Sequence, residues 1–580
     1  LSMGAEDLVT IGKDVSISSN VVLNNAVVEG GVLKLRKIHI ADHAYLGTAA
    51  VVGGDCHIEA WGELKDLSSL SSKQNIQERE VWGGSPAMME SRKELHELPQ
   101  PLKVSEKTRT KYTRFYLLLL LIFPFTVLIP LLPSIIILNR WDDAAADYNF
   151  NYLIYTPLLA FSYILLFALQ SILLTRFLQK DIQEGSYPVF SRIYLKKWFS
   201  DQMMMLSLFV LHPLFATIYA SPLYRALGAK IGKDTEISTA SQVTHRLLEV
   251  GDGAFIADLV TLGEDDVRGQ QVTLSRTRIG NKSFVGNSGL IPQGYQLPDE
   301  MLIGVLSVPP TKEQLQASNA KNWFGSPALP LPTRQSSQVF PSSLTTSPTF
   351  LRRVFRGVVE LMRIVLPSSV VMSCSVLFIA HTHDLLVDES WLKLILYFPI
   401  YYLLFVGVPS FLVTVILKWL LIGRYKSIQI PMWTWKVWCS EAVTSTYEAL
   451  SVPFFLEYLR GTPILSWALR LLGVKIGKRV WWNTTDVTEY DVVEVGDDVA
   501  FNHECGPQTH LFEDRVMKIG PVKIDSKTTI GSRSVILYDT HVKQEVFLGS
   551  LSLVMKGEEI PENTAWAGSP LKPLVEAKGI

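Results

Sequence analysis

One glycine pattern recurs three times along the 580-residue chain, and it limits the folds that the chain can adopt. In each copy two glycines, each preceded by an aliphatic residue, lie 35 residues apart: Gly12 and Gly47, Gly251 and Gly286, and Gly496 and Gly531. A W-x-G-S-P motif closes each copy, and its tryptophan lies 35, 37 and 35 residues beyond the second glycine. This agreement predicts three tandem copies of one domain.

Within the copies, an aliphatic residue followed by glycine or a small polar residue returns about every six residues, as at Ile279-Gly280 and Val285-Gly286. A six-residue period is typical of a left-handed parallel β-helix, in which three short strands form each triangular coil. The aliphatic side chain fills a corner of the coil, and the small residue permits the tight turn. We therefore predict three left-handed parallel β-helix domains of the hexapeptide type.

Four apolar stretches lie between the copies in two pairs, and they predict a membrane protein. They cover residues 115–138, 152–175, 354–380 and 394–417. A helix of 24 residues, the length of the first stretch, is about 36 Å long and exceeds the ~30 Å hydrocarbon core of a bilayer. The third stretch is the weakest, because Arg356, Glu360 and Arg363 occupy its first turns.

Charge and polarity around these stretches predict the topology. The loop inside each pair is acidic and the outer flanks are basic, so the positive-inside rule places the β-helix domains on the cytoplasmic side of an integral membrane protein. Mixed aromatic and polar stretches precede the second and third β-helices, and they are expected to lie on the membrane surface or to pack on the β-helix.

The predicted architecture is therefore three β-helix domains that alternate with transmembrane α-helical hairpins. The expected order is a first β-helix at 1–100 that is truncated at its N-terminus, a transmembrane hairpin at 113–176, an interfacial helix at 195–226, a second β-helix at 227–330, a linker at 331–350, a second transmembrane hairpin at 354–418, an interfacial helix at 436–471 and a third β-helix at 472–580. Residues 62–80 are expected to form a polar insertion in the first copy.

The overall charge and the cysteine count exclude two classes of protein. Lys and Arg total 54 and Asp and Glu total 55, which gives a net charge of −1. This balance excludes a strongly basic nucleic-acid-binding protein, and no nucleic-acid partner is predicted. Four cysteines in a chain of this length exclude a disulfide-stapled scaffold.

The third copy alone carries an imidazole at two corresponding positions of the repeat. Counted from the first glycine, His510 corresponds to Ala26 and Asp265, and His503 likewise has no histidine counterpart. A neutral imidazole can take a proton from an attacking amine. His510 and His503 are therefore the catalytic candidates, with a hydrogen-bonded turn histidine as the alternative for each.

Acidic residues follow the two histidines and are candidates for binding a cationic amine substrate. They are Glu504, Glu513 and Asp514, and a solvated loop is the alternative interpretation. Cys505 is a weaker candidate as a nucleophile, because sequence neighbours on a strand point to opposite faces. No metal site is predicted, since His381 and His383 lie in a short loop with no evident fourth ligand.

Three segments of the third copy carry a family resemblance. QTHLFEDRVMKIG at 508–520, LGSLSLVMKGEEIP at 548–561 and WAGSP at 566–570, on alternating spans and β-helices, resemble the C-terminal region of membrane-bound single-module nonribosomal peptide synthetases of the epsilon-poly-L-lysine synthetase type. The Thr509-His510 pair is also similar to the Thr-His segment of trimeric hexapeptide acetyltransferases, whose histidine is the general base.

The resemblance implies the partners and the reaction. An upstream adenylation domain would use ATP to activate an amino acid, and an upstream carrier domain would hold it as a phosphopantetheine thioester. The β-helix domains would then form amide bonds to an amine acceptor. The hexapeptide enzymes hold their pantetheine arm in the cleft between neighbouring β-helices, so the resemblance also implies an intramolecular pseudo-trimer here, besides the lipid bilayer and a possible homo-oligomer as partners. The alternative is a noncatalytic membrane scaffold or export conduit with degenerate β-helices.

Overall fold

The structure, a computed structural model, describes residues 1–99, 102, 104–143, 150–331, 338–387 and 391–574. Outside the long helices the chain forms three stacks of short parallel strands, named the first, second and third stacks in chain order. Each stack has three faces, and every face is a sheet of parallel strands.

The strands of each face are as follows. In the first stack they are Ser2–Met3, Val22–Asn24, Val51–Gly53 and Ser69–Leu70; Val9–Ile11, Ile38–Ile40, Cys56–Ile58 and Asn75–Ile76; and Ser16–Ile17, Tyr45–Leu46, Glu63–Leu64 and Glu80–Gly83. In the second they are Lys230–Ile231, Leu248–Val250, Thr277–Ile279 and Gln296–Leu297; Glu236–Ile237, Phe255–Ile256, Phe284–Val285, Leu302–Ile303 and Asn322–Phe324; and Ala240–Ser241, Val260–Leu262 and Leu290–Ile291. In the third they are Lys475–Ile476, Val493–Val495, Val522–Ile524, Thr540–Val542 and Glu559–Ile560; Trp481–Trp482, Ala500–Phe501, Thr529–Ile530, Phe547–Leu548 and Ala565–Ala567; and Gly506–Gln508, Val535–Leu537 and Leu553–Val554.

The register of these strands has the periodicity that the sequence predicts. Ile40 pairs with Ile58, and Ile58 pairs with Ile76, so partners on one face are 18 residues apart. A coil with three faces therefore uses about six residues for each face, and the stacks are parallel β-helices. The aliphatic residues of the period fill the interior, where Ile40, Ile58 and Ile76 are fully buried.

The prediction of a polar insertion at 62–80 was wrong. This segment contains the strands Glu63–Leu64, Ser69–Leu70 and Asn75–Ile76, which form a regular coil of the first stack. Leu64, Leu70 and Ile76 keep the six-residue spacing and are buried. The polar residues between them occupy the turns and concealed this spacing in the sequence.

In each stack one step between partner strands is longer than the others. Ile11 pairs with Ile40, Val250 with Ile279 and Val495 with Ile524, each 29 residues apart. The additional residues form antiparallel hairpins, named hairpin one (strands Ala26–Glu29 and Val32–Leu35), hairpin two (Asp266–Arg268 and Gln271–Leu274) and hairpin three (His510–Glu513 and Val516–Ile519). Gly185–Pro188 adds a third strand to hairpin two, and Ile428–Pro431 adds one to hairpin three.

Four helical segments are long and apolar enough to cross a membrane: Glu106–Trp141, Asn151–Gln179, Phe350–His383 and Ile395–Ile422. They are built from α-helices at Glu106–Ile122, Phe125–Asp143, Thr156–Gln179, Phe350–Val387, Trp391–Tyr402 and Val408–Leu417, with π-helical turns at Leu403–Gly407 and Lys418–Ile422. The helix Phe350–Val387 has 38 residues, about 57 Å, and its first turns extend towards the β-helices. This length explains why Arg356, Glu360 and Arg363 are buried in the protein.

Shorter helices connect these segments to the second and third stacks. They are Arg192–Val210, His212–Leu214 and Ala220–Leu227 before the second stack, and Trp435–Thr446, Tyr447–Ser451, Val452–Phe454, Leu456–Leu459 and Pro463–Leu472 before the third. Tyr224 donates a hydrogen bond to the Ala240 carbonyl at 3.1 Å, and Tyr447 donates one to the Thr485 carbonyl at 2.8 Å. Both stretches therefore pack on the opening coil of a β-helix. The predicted linker at 331–350 lies partly outside the described residues.

The three stacks contact one another in cyclic order. Each hairpin is hydrogen-bonded to the next stack: Arg268 of hairpin two to Glu63, Arg515 of hairpin three to Glu236, and Val28 of hairpin one to Asn502. An apolar cluster at the centre combines side chains of all three stacks, including Val22, Val51, Leu290, Leu306, Leu537 and Leu553. This packing creates a cleft beside each hairpin.

Candidate active site between the second and third stacks

The cleft beside hairpin three contains the histidine that the repeat comparison singled out, and it is named the histidine cleft. The second stack contributes Phe255 and Asp258, hairpin three contributes His510 and Phe512, and the helix Trp435–Thr446 contributes Glu441. About 520 Å³ of space inside it is free of protein atoms. The aromatic rings make one part of the cleft apolar, while His510 and the carboxylates provide its chemistry.

A buried carboxylate orients the imidazole of His510. Glu489 Oε2 lies 2.7 Å from His510 Nδ1, and the Glu489 side chain is fully buried. The same oxygen accepts a 2.6 Å hydrogen bond from Thr509 Oγ1. Within the described part of the chain, Nε2 of His510 has no hydrogen-bond partner. With Nδ1 bound to Glu489, Nε2 is therefore the nitrogen that can accept a proton from a molecule in the cleft.

Burial and charge act in opposite directions on this pair. Burial lowers the pKa of His510, but the Glu489 carboxylate, with Asp258 and Glu441 farther away, outweighs it and holds that pKa above its usual value. Burial raises the pKa of Glu489, but the contact with His510 outweighs it and holds that pKa below its usual value. His510 is therefore a stronger base than a free histidine.

The other carboxylates of the cleft differ in how far they are neutralised. Glu236 accepts from Arg515 at 2.6 Å and lies 3.3 Å from Arg356, which together hold its pKa low against the effect of burial. Burial raises the pKa of Glu441 to about 7, although Arg363 lies 3.2 Å away.

Asp258 is the carboxylate with the least cationic neighbourhood. It accepts a hydrogen bond from the hydroxyl of Ser238 and a 3.4 Å contact from Thr239 Oγ1. Arg356 and Arg363 approach the cleft from the first turns of the helix Phe350–Val387. The charges that weakened the third apolar stretch in the sequence thus belong to the surroundings of the site.

The second predicted catalytic residue, His503, contacts a different part of the protein. Its Nε2 lies 3.4 Å from Glu504, which also pairs with Arg533 at 3.3 Å. Burial raises the pKa of Glu504, but His503 and Arg533 outweigh it and hold that pKa at about 2. Arg533 donates to the Asn20 carbonyl of the first stack at 2.5 Å. His503 and Glu504 therefore face the first stack, whereas His510 faces the second.

The remaining predicted substrate-binding residues belong to hairpin three. Glu513 is paired with Lys518 at 2.7 Å and with Lys556 at 2.5 Å. Asp514 and Arg515 form the turn of the hairpin, and both have positive φ values. The binding roles of Glu504, Glu513 and Asp514 stay predictions, and none of the three lines the histidine cleft.

Two weaker candidates have structural surroundings. Cys505 is fully buried, its thiol contacts the Asn502 carbonyl at 3.2 Å, and burial raises its pKa well above the usual value. A buried neutral thiol of this kind fills the core and is a poor nucleophile. His381 Nδ1 is hydrogen-bonded to the Leu377 carbonyl at 2.8 Å, and the side chain of Asp384 lies outside the described residues.

Sequence reasoning missed Glu489, Glu441 and Asp258. A signal for Glu489 was present, because it lies seven residues before the first glycine of the third copy, where the second copy has Thr244. Glu441 ends the motif KVWCSE at 436–441, which matches KKWFSD at 196–201.

Comparison with known proteins gives one extended match. The delta-poly-L-ornithine synthetase of Acinetobacter baumannii (strain AB307-0294) is 40% identical over 586 aligned residues, which cover 98% of this chain and 43% of that protein. The chain thus spans less than half the length of this relative. No protein-family profile matches the chain.

Two solved structures align more loosely. A hexapeptide-repeat acetyltransferase of Vibrio cholerae aligns with 14% identity and a TM-score of 0.17, over 21% of this chain and 87% of its own. An N-acyltransferase mutant from Bacillus cereus, solved with dTDP and coenzyme A, aligns with 10% identity and a TM-score of 0.14, over 63% and 91%. The β-helix assignment accordingly rests on the strand register of this chain, and the extended likeness is to the poly-ornithine synthetase.

Proposed function

We propose that this chain forms amide bonds, transferring an aminoacyl group from a carrier-bound thioester to an amine acceptor in the histidine cleft. The observation that carries the proposal is the buried Glu489–His510 pair beside an open cleft between two β-helices. The likeness to a delta-poly-L-ornithine synthetase supports a reaction of this class. The product would be a poly-amino acid or a related compound.

His510 acts as the general base in this proposal. Its Nε2 takes the proton that the acceptor nitrogen loses as the new N–C bond forms, and Glu489 stabilises the resulting imidazolium. His510 then returns the proton to the sulfur as the C–S bond breaks, so a thiol and an amide are the products. The donor thioester supplies an activated carbonyl and a good leaving group.

The cleft suits a thin, uncharged arm of the pantetheine kind. Phe255 and Phe512 form an apolar wall, with ring centroids 6.2 Å apart, and polar Ser238 and Asn287 also line the space. We propose that these residues hold the phosphopantetheine arm of an upstream carrier domain. Activation of the amino acid with ATP is assigned to an upstream adenylation domain.

The other two clefts have different chemistry. Between the first and second stacks, Arg268 pairs with Glu63 at 2.7 Å and lies 3.8 Å from the Tyr45 ring centroid. Hairpin one begins with Ala26 at the position of His510. We therefore assign the reaction to the histidine cleft alone.

The test compares His510→Ala with His541→Ala in the full-length protein. His541 is a matched control, because its Nε2 also pairs with a carboxylate, Asp525, at 2.7 Å in the same stack. Loss of a general base typically lowers a rate by about 10² to 10⁴-fold. His510→Ala should reduce product formation on this scale, while His541→Ala should retain it.

The readout is product formation together with aminoacyl loading of the carrier domain. Loading should be the same in all variants, since activation precedes the step assigned to His510. Product formation at the wild-type rate in His510→Ala would contradict the proposal and favour a noncatalytic scaffold or export conduit.

A further inference from the structure

The second copy of the repeat holds a buried lysine at the place that corresponds to the active site. Lys197 Nζ lies 2.7 Å from Asp201 and 2.9 Å from Asp265, and its side chain is 1% exposed. These three residues are named the lysine cluster. Burial lowers the pKa of Lys197, but the two carboxylates outweigh it and hold that pKa above its usual value. The cluster is thus a primary ammonium held by two carboxylates in a protein interior.

Each member of the lysine cluster has a counterpart at the histidine cleft. Asp265 corresponds to His510 by the count from the first glycine of each copy. The matching motifs KKWFSD at 196–201 and KVWCSE at 436–441 align Asp201 with Glu441. Ser200 and Ser440 in these motifs also make corresponding contacts, with Gln179 and Tyr425, which bond the backbone of Arg246 and the side chain of Asp491.

The counterpart of the lysine itself is apolar. Val437 stands four residues before Glu441, as Lys197 stands four residues before Asp201. The carboxylate of Glu441 and the imidazole of His510 are therefore retained, while the ammonium between the corresponding groups is replaced by a short side chain. The space beside Glu441 and His510 belongs to the histidine cleft.

We propose that the histidine cleft contains a subsite for the primary alkylammonium group of the acceptor, with Glu441 and Asp258 as its counterions. This inference rests on the proposed function and specifies its acceptor. The lysine cluster shows how this fold holds an ammonium against the residue that begins the hairpin. An ammonium placed in the same way in the third copy would lie against His510, where it can release a proton and become a nucleophile.

The charges around the subsite agree with a cationic ligand. Arg356 and Arg515 both pair with Glu236, and Arg363 contacts the Glu441 carboxylate and the Phe215 carbonyl. Asp258 pairs with hydroxyl groups, so its negative charge is available to a ligand. An apolar stem on the ammonium would be accommodated by Phe255 and Phe512, which line the same cleft.

The experiment measures binding of 1,4-diaminobutane to the full-length protein by titration calorimetry, with 1,4-butanediol as the uncharged control ligand. The wild type should bind the diamine and not the diol. Val437→Lys should place an internal ammonium at the subsite, as Lys197 does in the second copy, and weaken diamine binding at least tenfold. Val437→Met adds similar bulk without the charge and should retain binding within about threefold.

Glu441→Gln provides a second test that does not depend on the folding of Val437→Lys, because it is isosteric. It should also weaken diamine binding at least tenfold. Equal affinity of the wild type, Glu441→Gln and Val437→Lys for the diamine would overturn the subsite, and so would equal binding of the diol and the diamine.

The binding experiment is separate from the test of the reaction. If the diamine shows the expected pattern while His510→Ala still makes product, the subsite stands and the proposed reaction fails. If His510→Ala abolishes product while the diamine binds equally to all variants, the reaction stands and the subsite fails.

Discussion

The residues around His510 show how one copy of a repeat acquires a function that the others lack. His510 and Glu489 of the third copy correspond to Asp265 and Thr244 of the second. Only the third pair places an imidazole against a buried carboxylate, at 2.7 Å. Such a contact fixes which ring nitrogen carries the proton and stabilises the protonated form. The comparison of repeats could single out His510, but not its partner, because the contact joins different faces of the coil.

Glu489→Gln tests this contact through the pH dependence of kcat/KM. The neutral form of His510 is the base, so activity falls as the pH drops below the pKa of His510. Glu489 holds this pKa above its usual value, and removal of its charge should move the acidic limb of the profile to lower pH. The maximal rate should also fall by about ten- to a hundredfold, because the imidazole loses its orienting partner.

Glu545→Gln is the control for this profile. Glu545 pairs with Lys527 at 2.8 Å on the exposed surface of the same stack. Its replacement should leave the acidic limb in place. An unchanged limb in Glu489→Gln would show that His510 is not the group that titrates.

At the level of elements, the coils were predictable and the hairpins were not. The six-residue period comes from the interior of each coil, so residues such as Ile58 and Ile76 reveal it directly. Hairpin three interrupts the period, and its alternating contacts, with Leu511 buried and His510 facing the cleft, resemble any short strand. The sequence therefore predicted the fold and the histidine, but not the surface that the histidine faces.

The turn of hairpin three provides the element-scale prediction. Arg515 donates to Glu236 at 2.6 Å and to the Asp234 carbonyl at 2.8 Å, both in the second stack. Arg515→Ala removes these charge-assisted bonds, each of a type worth about 1.5 to 3 kcal/mol. We expect faster amide hydrogen exchange in residues 510–519 and a higher KM for the acceptor, because hairpin three forms one wall of the cleft.

Arg479→Ala separates this effect from the loss of a surface charge. Arg479 pairs with Asp498 at 2.6 Å, but its side chain is 68% exposed. Exposed pairs contribute about 0 to 1 kcal/mol, so exchange in hairpin three should be unaffected. Similar exchange in Arg515→Ala and the wild type would mean that other contacts hold the hairpin in place.

At the scale of the whole molecule, the three closing motifs join the stacks. The amide of Ser85 donates to the Ser326 carbonyl at 2.8 Å, that of Ser326 to the Ser569 carbonyl at 2.8 Å, and that of Ser569 to the Ser85 carbonyl at 3.1 Å. These bonds form a closed ring of three. The sequence predicted a repeated motif, but no local pattern reports a contact between residues more than two hundred positions apart.

The glycine of each closing motif is the residue on which this ring depends. A Cβ at Gly325 would lie 2.7 Å from the Ser569 carbonyl oxygen, and Gly325 has a φ of +92°. Gly325→Ala should therefore destabilise the protein through both backbone strain and a steric overlap between two stacks. Gly557 has a φ of +80° with no atom within 4 Å of its Cβ position, so Gly557→Ala adds the strain alone, about 1 to 2 kcal/mol.

Thermal unfolding of the two variants distinguishes these contributions. Gly557→Ala should lower the midpoint by a few degrees, since about 1 kcal/mol corresponds to roughly 2 to 4 °C in a domain of 150 to 250 residues. Gly325→Ala should lower it by clearly more, because the overlap with Ser569 separates the second and third stacks at their contact. Equal midpoints would show that the closing ring relaxes around an added methyl group, and the stability of the assembly would then rest on the apolar centre, where Leu306 and Leu553 meet.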